Sequence, residues 1–133
     1  MSDTFDCSEV VCAGGLLFSI ELVNNQGANL ISNGTYPFED IKITKNDTIV
    51  ELFKLSSYES INFLIEAKSG ESVFNIILNA AEIDTLAVTL SQTTINSECC
   101  GPYFRMNSAK YNGVQQQIFE NEYSFEKITV VKP

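Results

Sequence analysis

Residues 61–80 read INFLIEAKSGESVFNIILNA and carry the strongest β signal in the chain. Two runs flank Ser69-Gly70, and in each run every second residue is apolar. A period of two is typical of strands that bury one face, and a glycine between two such runs is typical of a hairpin turn. The stretch therefore predicts a β-hairpin. Its inward-facing side chains are Ile61, Phe63, Ile65, Ala67, Phe74, Ile76, Leu78 and Ala80.

The same alternation recurs along the chain and predicts further strands over residues 16–22, 41–44, 86–91 and 125–131. Residues 49–55 are ambiguous, because apolar side chains fall on both faces, and a bulge or a strand buried on both sides would explain the pattern. No segment has a convincing helical period. We expect an all-β fold, a two-sheet antiparallel β-sandwich of immunoglobulin-like or transthyretin-like type with about seven or eight strands.

Length and composition indicate one domain over residues 1–133, with two segments that lack strand alternation. Residues 1–15 are predicted to form an irregular lead-in that carries two cysteines. Residues 92–117 are rich in Thr, Ser, Asn, Gly and Gln and are predicted to form a long loop. A loop of that length in a small domain usually serves a function or is tied down covalently.

Four cysteines favour disulfide bonds over a metal site. Cys7, Cys12, Cys99 and Cys100 lack the two separated C-x₂₋₄-C pairs of a structural zinc site, and they lack the C-x-x-C arrangement of a redox pair. An even number of cysteines is typical of an oxidising compartment. Three pairings are open, of which a bond between the adjacent Cys99 and Cys100 is the least favourable because neighbouring residues strain disulfide geometry.

The charge balance excludes some classes of partner. The net charge is −9 and the chain has no histidine. An acidic surface repels the phosphates of nucleic acids, and without histidine the commonest general base and metal ligand is missing. No stretch has the roughly 18 apolar residues that a membrane-spanning helix needs. These observations indicate no cofactor and no resident metal, and they favour a non-catalytic protein.

Clustered acids leave two other functions open. Asp3, Asp6 and Glu9 lie near the start, Glu39-Asp40 precede a strand, and Glu120, Glu122 and Glu126 lie near the end. Paired carboxylates hydrolyse glycosides, and clusters of oxygen ligands bind calcium. The alternatives to a non-catalytic module are therefore a carboxylate-dependent glycan hydrolase and a calcium-dependent carbohydrate- or peptide-binding domain.

The predicted long loop holds the candidate ligand contacts Tyr103, Arg105, Asn107 and Tyr111. Ligand contacts on β-sandwiches tend to lie on loops, and aromatic, cationic and amide side chains suit a carbohydrate or a peptide. The alternative interpretation is that the aromatic residues cover the end of the sandwich beside the disulfides.

Three stretches resemble small exported lipoproteins of Bacteroidetes. They are LLFSIELV at residues 16–23, NQGANL at 25–30 and KITVVK at 127–132. The opening strand with N-x-G-x-x-L is also similar to carboxypeptidase-regulatory-like β-domains of that phylum. The resemblance implies a lipidated cysteine upstream in the precursor and a setting in the periplasm or at the cell surface, where envelope proteins and glycans are the available partners. We therefore expect an accessory, adhesion or scaffold module.

Overall fold

The described part of the chain forms two β-sheets that face each other across one hydrophobic core. The structure, a computed structural model, describes residues 15–55, 58–66, 68–97, 101–120 and 126–132. The strands in these residues are β1 Gly15–Val23, β2 Lys42–Lys45, β3 Thr48–Val50, β4 Leu52–Leu55, β5 Tyr58–Glu66, β6 Gly70–Asn79, β7 Glu82–Ser97, β8 Gly101–Tyr111, β9 Val114–Gln116, β10 Phe119–Glu120 and β11 Glu126–Val131. A short 3₁₀ helix spans Phe38–Asp40.

The two-sheet sandwich predicted from the alternation is confirmed, with more strands than expected. One sheet has five strands in the order β10-β11-β1-β5-β4, and the other has six in the order β3-β2-β6-β7-β8-β9. All pairs are antiparallel except β1 and β11, which run parallel from Phe18 opposite Glu126 to Val23 opposite Val131. The last described strand, β11, therefore lies beside the first one, β1.

The predicted hairpin over residues 61–80 is wrong, although both of its strands exist. β5 lies in the five-stranded sheet and β6 in the six-stranded sheet, so the chain changes sheet between Glu66 and Gly70. The apolar faces meet across the core, where the rings of Phe63 and Phe74 are 5.3 Å apart. Alternation shows which face of a strand is buried, but strands stacked face to face and strands paired edge to edge both satisfy it.

The ambiguous residues 49–55 are explained by a second change of sheet. Val50 of β3 pairs with Ile43 in the six-stranded sheet, whereas Leu52 of β4 pairs with Phe63 in the five-stranded sheet. The chain crosses at Glu51, so apolar side chains on either side of it point into the same core from opposite layers. The register of β4 also shifts between Phe53 and Leu55.

The predicted loop over residues 92–117 is wrong, because strands occupy most of it. β7 extends to Ser97, and β8 and β9 run from Gly101 to Tyr111 and from Val114 to Gln116. Among the described polar side chains of these strands, Arg105 and Asn107 of β8 and Gln115 of β9 are exposed. Thr and Asn in alternation with apolar residues are compatible with a half-exposed strand.

In the described residues, twenty-one buried side chains form the core, and they come from both sheets and from the segment between β1 and β2. Phe18 and Phe63 pack edge to face in the five-stranded sheet, with ring centroids 5.7 Å apart. Behind this layer, Asn62 points away from the core yet is also buried, and its Oδ1 accepts hydrogen bonds from Ser19 and Ser60. None of the described segments is a helix long and apolar enough to span a bilayer.

Neighbouring residues of β5 provide a test of this core. Phe63 is fully buried, whereas Leu64 points to the other face and is 41% exposed. Phe63→Ala should lower the free energy of unfolding by about 3 to 5 kcal/mol, because it leaves a cavity between two aromatic neighbours. Leu64→Ala should cost less than about 1 kcal/mol. Urea denaturation measures both, and equal losses would contradict the assigned faces.

Candidate functional site

Most of the residues predicted to form a site lie outside the described part of the chain. Cys7, Cys12, Cys99 and Cys100 lie outside the described residues. The same is true of Asp3, Asp6, Glu9, Glu122 and the side chain of Glu120. In the part of the chain that the structure describes, no three acids or cysteines converge to hold a metal ion.

The candidate ligand residues Tyr103, Arg105, Asn107 and Tyr111 lie on strand β8, not on a loop. The side chain of Tyr103 is outside the described part. Arg105 and Asn107 are exposed, and Asn107 accepts a hydrogen bond from Ser91 Oγ at 3.2 Å. Asn107 is the extra residue of a bulge, so the residues after it change face and Tyr111 points inward.

A polar cluster that the sequence analysis missed lies at one end of the sandwich, where it joins the two sheets. Lys132 follows β11, and its backbone N–H donates to the Val23 carbonyl at 2.7 Å. Its Nζ lies 2.6 Å from Asp84 Oδ2 and 2.7 Å from Glu82 Oε2, both on β7 of the opposite sheet. One ammonium group therefore bridges two carboxylates across the end of the core.

Two tyrosines complete this cluster, which we call the Lys132 cluster. Tyr111 Oη donates to Asp84 Oδ2 at 2.7 Å. Tyr36 Oη lies 3.0 Å from both oxygens of Glu82, and the Tyr36 ring centroid is 5.8 Å from Lys132 Nζ. Each phenol thus donates to one carboxylate, and Lys132 contacts both acids and one ring face.

Strand alternation places these charged groups at the end of the core. On β7, Glu82 and Asp84 follow the same alternation as Leu86 and Val88, so they lie on the face of the strand that points toward the core. On β11, Lys132 continues the inward side of Ile128 and Val130. A charged residue that continues a buried register is a sequence signal for this cluster, and it is present in both strands.

A tight turn holds Tyr111 in place. Asn112 and Gly113, with φ of 51° and 81°, join β8 to β9 in the left-handed conformation that two-residue hairpins need. The Asn112 N–H donates to the Thr85 carbonyl at 2.8 Å, and Asn112 Oδ1 accepts from the Thr85 N–H at 2.8 Å. The turn is thereby fastened to β7 next to Asp84.

The hydrogen bonds of the cluster set its protonation states. Burial raises the pKa of Asp84, but hydrogen bonds from Lys132, Tyr111 and Asn112 outweigh it and hold that pKa below its usual value. Burial lowers the pKa of Lys132, but the two acids outweigh it and raise that pKa. Burial and Asp84 together raise the pKa of Tyr111. Near neutral pH, Asp84 is thus an anion, Lys132 is a cation and Tyr111 is neutral.

A cleft of about 480 Å³ opens beside the Lys132 cluster, within the size range of small-ligand pockets. Its rim combines amides with apolar side chains that are half or more exposed, Val114 at 61% and Val131 at 55%. The residues that line it are Tyr36, Glu82, Tyr111, Asn112, Val114, Gln116, Val130, Val131 and Lys132.

Glu82 and Asp84 are close enough for glycoside chemistry, but Asp84 is not suited to be its proton donor. Because Lys132 Nζ contacts both, the contacting oxygens of Glu82 and Asp84 lie within roughly 5 Å of each other, near the spacing of retaining glycosidases. Such enzymes need one carboxyl group with a raised pKa that donates a proton. Asp84 has a lowered pKa and is 5% exposed, so it does not meet this requirement.

No protein-family model matches this chain, and neither the curated proteins nor the solved structures give a match.

Removal of Lys132 tests the importance of the cluster for stability. Lys132→Met should lower the free energy of unfolding by about 3 to 5 kcal/mol, because Asp84 remains as a buried, uncompensated anion. Lys42→Met, at an exposed position of β2, should change it by about 0.5 kcal/mol or less. The double variant Asp84→Asn with Lys132→Met should recover part of the loss. Urea denaturation near neutral pH makes the comparison, and a wild-type midpoint for Lys132→Met would contradict the assignment.

The shifted pKa values predict the pH range of stability. Asp84 titrates lower in the folded chain than its unfolded value of about 3.9, so its contribution is present above about pH 4 and is lost as pH falls through the folded pKa. Lys132 and Tyr111 titrate higher when folded, so their contribution is present below about pH 10 and is lost as pH rises further. Asp84→Asn should therefore show a shallower loss of stability between about pH 4 and pH 2 than the wild type. Parallel profiles from urea denaturation would contradict this.

Proposed function

We propose that this chain is a non-catalytic accessory module of the bacterial cell envelope, and that the cleft beside the Lys132 cluster is its binding surface. The observation that carries the proposal is the pairing of the charged groups at the cleft floor. Lys132 forms ion pairs with both Glu82 and Asp84, and the phenols of Tyr36 and Tyr111 donate hydrogen bonds to the two acids. Such a network is suited to hold a shape and is poorly suited to move protons.

The rim of the cleft supports a binding role. Asn112 and Gln116 supply amide donors and acceptors, and Val114 and Val131 supply exposed apolar contacts. Concave sites with apolar walls and a few fixed polar groups are the usual form of ligand sites. The rim lies on strands and a tight turn, so little conformational entropy is lost when a ligand binds there.

The setting in the cell envelope rests on the sequence. Four cysteines without metal-like spacing favour an oxidising compartment, and the resemblance to exported Bacteroidetes lipoproteins implies a lipid anchor in the precursor. The net charge of −9 disfavours nucleic acid as a partner. Adhesion, scaffolding and support of a larger envelope assembly all fit a small module with one binding surface.

A combined turnover and binding experiment tests this function. The protein is incubated with envelope oligosaccharides and peptides; products are followed by chromatography and binding by calorimetry. We expect no turnover above that of Glu82→Gln. A ligand that binds should bind at least tenfold more weakly to Val114→Asp, because the ligand loses an exposed apolar contact of the rim and must strip water from a new carboxylate there.

Ile83→Asp is the matched control, since Ile83 is 62% exposed but lies on the outer face of β7, away from the cleft. It should bind as the wild type does. Turnover that is lost in Glu82→Gln would contradict a non-catalytic role, and equal weakening by both aspartate variants would contradict the cleft as the binding surface.

A further inference from the structure

Resting on the function proposed above, we propose that the occupant of the cleft is an extended, positively charged polypeptide segment, which adds as a strand to the open edge of β11. Strand addition supplies affinity through backbone hydrogen bonds and specificity through alternate side chains. Three features of β11 favour such an occupant: its pairing with β10 ends early, alternate backbone groups face the edge, and the charge near the edge is negative.

The pairing of β11 on the side opposite β1 covers only its beginning. β10 pairs with β11 at Glu126 and Lys127, through Glu120 and Phe119. From Ile128 to Val131, no strand of the described chain pairs with β11 on that side. β1, in contrast, accompanies β11 to its last residue, Val131.

The backbone groups of this uncovered part point toward the edge at alternate residues. The Lys132 N–H donates to Val23 on β1, so the N–H and C=O of Val130 also face β1, because backbone groups alternate in direction along a strand. Those of Thr129 and Val131 therefore face the opposite side. They form a short ladder of donors and acceptors without a strand partner among the described residues.

The cleft lies beside this part of β11. Val130, Val131 and Lys132 form one wall, and Val114 and Gln116 of β9 form part of another. Free strand edges are usually protected by charged residues or proline, yet residues 128–131 read ITVV. An uncharged, β-branched edge that opens into a cleft is suited to accept a further strand.

Charge selects the kind of segment. The chain has a net charge of −9, and Glu82, which lines the cleft, is partly exposed. Glu82 shares the single ammonium group of Lys132 with Asp84, so these three side chains have a formal charge of −1 together. A second copy of this chain would bring the same negative charge to the edge, so self-pairing is disfavoured. The exposed side chain of Val131 offers an apolar contact. The segment that fits alternates basic and apolar residues.

The probe is a short, capped peptide of alternating lysine and valine. Its matched control has the same sequence with N-methyl groups on alternate backbone nitrogens, which removes the donors of one edge and keeps the charge. We expect the first peptide to bind and the second to bind at least tenfold more weakly. Calorimetry measures the affinity of each peptide. Binding should also slow hydrogen exchange of the Thr129 and Val131 amides, which amide-resolved NMR measures.

Two protein variants locate the edge. Val131→Pro removes one edge donor and should weaken binding at least tenfold, and Val131→Lys, which keeps the backbone intact, should weaken it by charge repulsion. Gln115→Pro removes an outward donor from β9, on the other side of the cleft, and should leave binding unchanged. Thermal unfolding confirms that each variant is folded.

The outcomes separate this inference from the proposed function. Equal binding of both peptides, or loss of binding in Gln115→Pro alone, would overturn strand addition to β11. Binding of an oligosaccharide that Val114→Asp weakens, without peptide binding, would overturn strand addition and leave the proposed function standing. Turnover lost in Glu82→Gln would overturn the proposed function itself.

Discussion

The ion pair between Lys132 and Asp84 is the constraint on which the end of this sandwich depends. Apolar contacts hold the two sheets together elsewhere in the core, and such contacts have little directional preference. Lys132 directly follows β11 of the five-stranded sheet, Asp84 lies on β7 of the six-stranded one, and Lys132 Nζ is 2.6 Å from Asp84 Oδ2. The ion pair Lys127–Glu21, by comparison, joins neighbouring strands of one sheet. A short, largely buried pair between layers fixes how the sheets align where the core ends.

The same constraint decides what chemistry the cleft offers. Glu82 and Asp84 are close to each other, and Lys132 places one cation in contact with both. Against the effect of burial, hydrogen bonds from Lys132 and Tyr111 hold the pKa of Asp84 below its usual value, and the phenol of Tyr36 donates to Glu82. The cluster gives the cleft a fixed floor, and the groups at the rim are left to contact a ligand.

The sequence predicts the strands and the buried faces well, but not the partners. Alternation identifies β5 and β6, and only the structure shows that they belong to different sheets, since a facing strand and a neighbouring strand require the same pattern. The polar side chains of β8 suggest a loop in the sequence because those described, such as Arg105 and Asn107, lie on its exposed face. The sequence indicates only part of the Lys132 cluster, because Asp84 and Lys132 each have the parity of the buried residues of their strand. Their meeting depends on contacts between residues 48 positions apart, which no local pattern encodes.

The part of β11 that has no strand partner among the described residues differs from the other edges of the two sheets. β3 and β9 have three residues each and β10 has two, and short edge strands limit pairing with other chains. β4 is interrupted by a register shift, which also protects an edge. The stretch from Ile128 to Val131 is one residue longer than β3 or β9 and has no register shift against β1, and it ends at Lys132, the residue that joins the sheets. A strand added there would extend the five-stranded sheet beside the fixed floor of the cleft, so the geometry of the Lys132 cluster and the binding of a partner would be coupled.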